Sequence, residues 1–421
     1  MSEQVKGSGR REFMTSTAVA AAGAALLSQI GSRAHAAGQD EIRVGLIGCG
    51  GRGTGAGMNA VESSPNVKIV AMADLFEDRM KSAWDSFKKQ GQEVAKDKCY
   101  VGFDGYQKLI ADPAVNYVIC ATPPGFRSIH ILAAVNAGKN VFCEKPVAVD
   151  GPTARECLEA YKISIEKKLG IAAGTQRRHQ FSYQETIKRI HDGYLGDILA
   201  ARCYWNMGGL WIKDRDPKWS DMETQIRNWL YYTWASGDHI CEQHVHNLDV
   251  INWVLKDHPT QAHGMGGRQV RTDPKYGHIF DHFAVEYSYP NNVHVLSECR
   301  QIDGCEGNVS EFIVGTKGKS NPGGHIEGEK AWKYTEKAPN PYVQEHADLI
   351  ASIRKGEPIN ELKQVTESTL TAIMGRMSAY TGRIVKWNEV LNSKTSLRPE
   401  KWEFGDLAVP PVAVPGKTKI I

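Results

Sequence analysis

Little in this chain points to disulfides, zinc, nucleic acid or a membrane span. Its nine cysteines stand singly, with no C-x-x-C pair and no spacing suited to zinc. That argues against a disulfide framework and fits thiols buried as small hydrophobes. Cys299 and Cys305 lie close in sequence, but no bridge between them is expected. The formal net charge is only +3, part of it at the amino-terminal end, which leaves no basic footprint for a nucleic acid. Internal repeats and low-complexity segments are missing beyond residue 36. The apolar run near the start is too short and too alanine-rich to span a bilayer stably.

That run nevertheless reads as an address. In "GRREFMTSTAVAAAGAALLSQIGSRAHAAGQ", Arg10 and Arg11 precede Phe13 and the alanine-rich stretch, which closes at the small-x-small site Ala34-His35-Ala36. The pattern predicts a twin-arginine signal over residues 1–36, read by the twin-arginine export machinery, and a periplasmic or otherwise exported protein. Gly9 departs from it, standing where Ser or Thr is usual. Folding before export agrees with the unpaired cysteines.

About 385 residues remain, more than one ordinary core holds, so two domains are expected. The first opens with "EIRVGLIGCGGRGTGAGMNAV", where a strand from Arg43 to Ile47 runs into Gly48-x-Gly50-x-x-Gly53 and then a helix. Glycines there permit a tight turn and let the backbone, with Gly51 and Arg52 in the same loop, approach a pyrophosphate at the helix N-terminus. The next strand, "NVKIVAMAD", ends in Asp74, about 20 residues past the glycines. A carboxylate there binds ribose hydroxyls and repels a 2′-phosphate, so NAD is expected over NADP; an inward-turned Arg79 would soften that preference. A third unit ends in Thr122-Pro123-Pro124, with His130 just inside the following helix. The strand of "NVFCEKP" then delivers Glu144 and Lys145 to the carboxyl edge of a doubly wound parallel sheet, where such sheets bind ligand.

With the glycine loop and Glu-Lys-Pro both in place, the chain resembles the glucose–fructose oxidoreductase/inositol dehydrogenase (Gfo/Idh/MocA) family. The matching segments include "VGLIGCGGRG", "ATPPGFRSIHILAAVNAGKNVFCEKP", "GTQRRHQ", "GYLGDI" and "HNLDVINW". The resemblance implies that Lys145 lies beside the nicotinamide and contacts the reacting hydroxyl, often next to a cis Lys-Pro bond. An ammonium in a partly desolvated site beside a cationic ring would also be expected to lose basicity and relay a proton. Glu144 is expected to orient the loop. The family also implies dimers or tetramers joined through an open sheet.

Beyond residue 160 the pattern changes to longer alternating strands, such as "ILAARCYWNMG" and "VHVLSECRQI", which read as an open, mainly antiparallel sheet. The expected division is therefore a Rossmann domain over 37–160, an α/β substrate and oligomerisation domain over 161–395, and an extended tail over 396–421. The late helices are expected to pack back at the junction. Within "GDHICEQHVHNLDVINWVL", the resemblance maps the catalytic helix onto Glu242, His246 and Asp249, with His246 as general base and Glu242 as its orienter. Family members usually carry Asp where Glu242 stands. A metal site remains open as a rival, since His244 and His246 with Glu242 or His239 offer ligands for zinc or manganese; none is assigned. For a substrate wall the candidates are Arg177, Arg178 and His179, with Trp229, Tyr232 and Asp249. Aromatic faces beside charged edges suit sugar rings, although core or interface packing accounts for many such aromatics.

These features predict an NAD-dependent oxidoreductase, with NADP second, acting on a ring carbon of a sugar, cyclic polyol or glycoside. Outside the cytoplasm no nicotinamide pool recharges a dissociating cofactor, so a tightly held NAD and a closed redox cycle are expected. One closed cycle is glycoside cleavage by transient oxidation, elimination and re-reduction. A non-catalytic carbohydrate-binding protein on a dehydrogenase fold is the remaining alternative.

Overall fold

The computed structural model describes residues 41–419, so the signal-like segment 1–36 lies outside the described residues. Among those described, two sheets organise the chain. The first contains β1 (Ile42–Ile47), β2 (Val67–Asp74), β3 (Cys99–Val101), β4 (Tyr117–Cys120), β5 (Asn140–Cys143) and β6 (Ile171–Ala173). Their order is β3-β2-β1-β4-β5-β6, and β1 pairs in parallel with β4, as β4 does with β5 and β5 with β6. Helices cover both faces, which is why β4 and β5 are apolar without alternation and Val118, Ile119, Val141 and Phe142 are fully buried. The chain reverses direction across the sheet between β1 and β4, and the carboxyl ends meet there. The boundary expected at residue 160 moves, because β6 extends this first sheet to Ala173. A three-residue buried strand carries no periodicity that would have placed it.

The second sheet comprises β7 (Ile198–Met207), β8 (Gln261–Gly267), β9 (His282–Ser288), β10 (His294–Gln301), β11 (Asn308–Gly315), β12 (Gly318–Asn321), β13 (His325–Gly328), β14 (Trp332–Lys333) and β15 (Val385–Lys386). Its order is β14-β13-β12-β11-β7-β10-β9-β8-β15, with β10 parallel to β7. The other pairings are antiparallel, as the alternating pattern predicts. Along β10, Val295, Ser297 and Cys299 turn inward while His294 and Leu296 face out.

The Leu362–Thr381 helix joins the two cores. Leu362 and Val365 pack with the first sheet, and Leu370, Ile373 and Met374 with the second. This late helix thus packs against both cores. The tail straps its own chain. Arg398 pairs with Glu156 at 2.6 Å, Trp402 packs on Phe126, Phe404 packs on Phe76 and Phe103, and the Gly416 amide donates to Thr381 O at 2.9 Å. All nine cysteines are free, with Cys299 buried and Cys305 exposed.

Candidate active site

A cavity of about 580 Å³ opens at the carboxyl ends of β1, β2 and β4. Gly48, Gly50, Gly51, Arg52, Gly53, Asp74, Thr122, Pro123 and His130, all expected to hold cofactor, line it. The loop fits a dinucleotide by its own sterics. Gly48 sits at φ +97°, and a Cβ on Gly53 would lie 1.8 Å from Gly48 O, so both must be glycine. A Cβ on Gly51 would meet nothing within 4 Å: the helix N-terminus faces open space where a pyrophosphate can approach. No side chain caps that helix, Gly51–Ser63, at its N-cap Gly50. Asp74 is held by the Cys49 amide at 2.6 Å and the Phe76 amide at 2.8 Å. Thr122 Oγ1 and His130 Nδ1 are 3.1 Å apart, and burial, with Arg127 and Arg398 nearby, pushes His130 down to about 3.

At the end of β5, the Lys145–Pro146 bond is cis. Lys145 Nζ donates to the main-chain carbonyl of Glu242 and lies 3.1 Å from its carboxylate Oε1. Thus the lysine of one lobe meets the acid of the other. His246 follows on the Val245–Leu255 helix, its ring stacked on Trp205 at 5.6 Å and its Nδ1 buried without a hydrogen bond. Burial and the adjacent Lys145 charge hold the imidazole well below its ordinary value, so it is neutral at physiological pH. A neutral imidazole can take a proton from a hydroxyl, and a lysine within its electrostatic reach can hydrogen-bond the oxygen left behind.

Glu144 and Lys145 are not on the wall of the large cavity; they sit beside it. Glu144 ion-pairs with Arg52, whose Nη2 also reaches Glu345 at 3.1 Å. This fixes the glycine loop to the Pro341–Lys355 helix. Burial and the Glu144 charge raise Glu345 well above the usual carboxylate range.

The expected substrate wall is largely corrected. Arg178 binds Asp249 bidentately at 2.8 and 2.9 Å, and Asp249 also accepts from Ser368, so both spend their charge internally. His179 lies 2.6 Å from Asp348 and 3.2 Å from Glu361; those carboxylates overcome burial and carry it up to about 10. Tyr232 is packed in the core with Phe126, Ile226 and Trp234. Trp229 lines the nucleotide cavity together with Asp74. Arg177 alone stays near the chemistry: it pairs with Glu311 at 2.5 Å and lies over the Trp205 ring at 5.7 Å. The rival metal reading also loses its geometry. His244 Nε2 meets Ser297 Oγ at 2.7 Å, His239 packs edge-on to Phe283, and the described residues contain no cluster able to hold a metal.

Sequence reading passed over three contributors. Trp205 is one; its place depends on β7 lying beside the His246 helix. Glu311 is buried and gathers Arg177, Tyr183 and Asn247. Arg127 donates to Thr122 O and Pro146 O, both at 2.7 Å, clamping the loops after β4 and β5 together. A lone arginine on an otherwise apolar helix face was the available signal for Arg127; Glu311 had none.

Residues 42–174 match the oxidoreductase family with an NAD-binding Rossmann fold (GFO/IDH/MocA), and residues 183–320 match the GFO/IDH/MocA C-terminal domain. The chain is 25% identical over 203 residues to 2,7-anhydro-N-acetylneuraminate hydratase of Escherichia coli, covering 48% of this chain and 50% of that one. It is 26% identical over 233 residues to the inositol 2-dehydrogenase/D-chiro-inositol 3-dehydrogenase of Lactiplantibacillus plantarum, covering 54% and 57%. The chain thus spans about half the length of these curated relatives. Among solved structures it superposes on the aldose–aldose oxidoreductase of Caulobacter crescentus with a TM-score of 0.64 at 18% identity, over 82% of this chain and 99% of that one. At that identity the likeness is one of fold.

Proposed function

Because the chain belongs to the GFO/IDH/MocA oxidoreductase family, we propose that it is an NAD-dependent enzyme oxidising a hydroxyl-bearing ring carbon of a sugar, cyclic polyol or glycoside. The observation that carries this reading is the meeting of Lys145 and Glu242 across the lobes, with neutral His246 alongside. NAD, held by the glycine loop and Asp74, supplies the hydride acceptor. His246 takes the proton of the substrate hydroxyl. Lys145 hydrogen-bonds the same oxygen and stabilises its developing charge. Glu242 fixes the lysine, and Trp205 presents an aromatic face to a sugar ring beside His246.

A closed redox cycle is the finer reading. It rests on the twin-arginine pattern at residues 1–36, which implies export away from a nicotinamide pool. It also draws on the relatives' names: a hydratase carries out a net reaction without redox change, and an aldose–aldose oxidoreductase pairs two carbohydrates. Within such a cycle, oxidation acidifies the neighbouring C–H and permits loss of a glycosidic group before the ring carbon is reduced again. Oligomerisation through the second sheet is part of the same proposal, since Leu199, Met265, Leu296 and Val309 stand exposed on it.

The test is to purify the mature protein without added NAD, record its absorbance, and incubate it with a panel of glycosides and free sugars. Copurified NAD with released sugar and no net reduction supports the closed cycle. Cofactor-free protein that turns over only with added NAD defeats it while leaving the oxidoreductase reading intact. Absence of any redox change or sugar release across the panel, with NAD bound, refutes the enzyme.

A further inference from the structure

A second cavity, of about 420 Å³, lies between the Leu362–Thr381 helix and the C-terminal strap. It shares no lining residue with the nucleotide cavity. Met377, Leu397, Pro410, Pro411, Val412 and Val414 make most of its wall apolar. Its polar part is unusual for such a wall.

Arg376 is 4% exposed and lines the cavity. Its Nη1 donates to Gly237 O at 3.0 Å and its Nη2 to Val149 O at 2.9 Å. Among the described residues no carboxylate forms an ion pair with it. The two carbonyls aim the guanidinium without neutralising it, and a buried cation normally has an anionic partner. His278, 3% exposed, lies on the same wall. Its Nε2 accepts the Thr233 amide at 3.4 Å and lies 2.7 Å from Thr233 Oγ1. Burial, with Arg268 and Arg376 nearby, pushes it down to about 4, so the ring is neutral and its proton sits on Nδ1. That Nδ1 is buried with no hydrogen-bond partner. Asp150 lines the same chamber but forms no ion pair with Arg376: its Oδ1 accepts from the Thr153 amide and hydroxyl, and its Oδ2 from the Leu397 amide. Lys417 adds a further cation on the strap side.

One buried imidazole donor without an acceptor, and a buried guanidinium without a carboxylate partner, on the wall of an otherwise mainly apolar chamber define a ligand with an acceptor head and an apolar body. We propose that this chamber is a second binding site, for a small carboxylate carrying a hydrocarbon chain, its head taken by Arg376 and His278 and its body by the strap. The planar guanidinium suits a carboxylate, and the mainly apolar wall suits a hydrocarbon body.

Octanoate is the probe, titrated calorimetrically into the NAD-loaded full chain beside octanol, octylamine and acetate. Saturable one-to-one binding of octanoate is expected. Octanol and acetate should bind about tenfold or more weakly, having lost the charge-assisted bonds or the apolar body. Arg376→Met should weaken octanoate by a similar factor. Since Arg376 also ties two backbone carbonyls, Ala413→Trp, which fills the chamber from the strap, provides an independent variant. It should remove octanoate binding and leave turnover unchanged. Equal affinity for octanoate and octanol, undiminished binding in Ala413→Trp, or no heat from octanoate would each overturn the proposal.

Discussion

Glu242 grips Lys145 at two points, through its main-chain carbonyl and through its carboxylate at 3.1 Å. The lysine leaves β5 of the nucleotide-binding sheet, whereas Glu242 ends the short His239–Glu242 helix of the other lobe. The side chain of Lys145, rooted in one lobe, is therefore held by Glu242 of the other.

Removing that ammonium should cost about 10²–10⁴-fold in kcat, the usual worth of a positioned proton-transfer group. Lys145→Ala is expected to retain NAD, read by absorbance, because the glycine loop and Asp74 are untouched. Glu242→Gln keeps the carbonyl contact and loses only the charge, so its loss should be smaller, about tenfold in kcat. Unchanged turnover in Lys145→Ala would remove the lysine from the mechanism.

His246 supplies a pH signature. Its basicity is depressed by burial first and by Lys145 second. A base works only when unprotonated, so activity should persist as pH falls through the ordinary histidine value of about 6.5 and decline only below it. The profile of kcat/KM against pH reads this directly. Imidazole nitrogen NMR of Lys145→Met should show His246 titrating higher than in the native chain, because one of the charges opposing its protonation is gone.

Why some of this was legible in the sequence and some was not follows from range. Gly48 to Gly53, Asp74 and Glu144-Lys145 belong to strand-and-turn units whose chemistry is local, and each lies at the sheet edge that the pattern implied. The alternating strands of the second lobe were visible for the same reason. Arg178 and Asp249 were read as substrate ligands because nothing local reveals that they face each other 71 residues apart. Trp205, Trp229 and Tyr232 carry the same aromatic signal, yet one stacks on His246, one lines the nucleotide cavity and one fills a core. Only β-sheet register and lobe packing separate those fates.

His179 makes stability depend on pH on the alkaline side. Its folded value is raised to about 10 by Asp348 and Glu361 despite burial. A raised value means that the protonated form stabilises the fold fully below the unfolded value of about 6.5, and that this contribution is lost as pH climbs through about 10. His179→Gln should be less stable than the native chain by about 2 kcal/mol near pH 6, a figure held down by the partial exposure of Asp348. Chemical denaturation at a series of pH values should show the gap closing by about pH 10. A gap that stays constant with pH would mean the ring acts by packing alone.

Asp74 is expected to set the cofactor preference through a repulsion. Two backbone amides lock its carboxylate at the end of β2, and it lines the cavity where an adenosine ribose would lie. Arg79 and Lys213 line the same cavity, so the cations needed to hold a 2′-phosphate are already present. The negative charge of Asp74 is expected to oppose that phosphate. Asp74→Ser retains a hydroxyl that can accept from a backbone amide but removes the charge. It should bind NADP about ten- to a hundredfold tighter relative to NAD than the native chain does. Trp211 and Trp229 on the cavity wall make the titration readable by fluorescence. Adding Arg79→Ala to that variant should erase most of the gain, since the phosphate then loses a cation it had been freed to meet. If the native chain binds both nucleotides equally, Asp74 is not the discriminating group; if the double variant keeps the gain, Arg79 is not its partner.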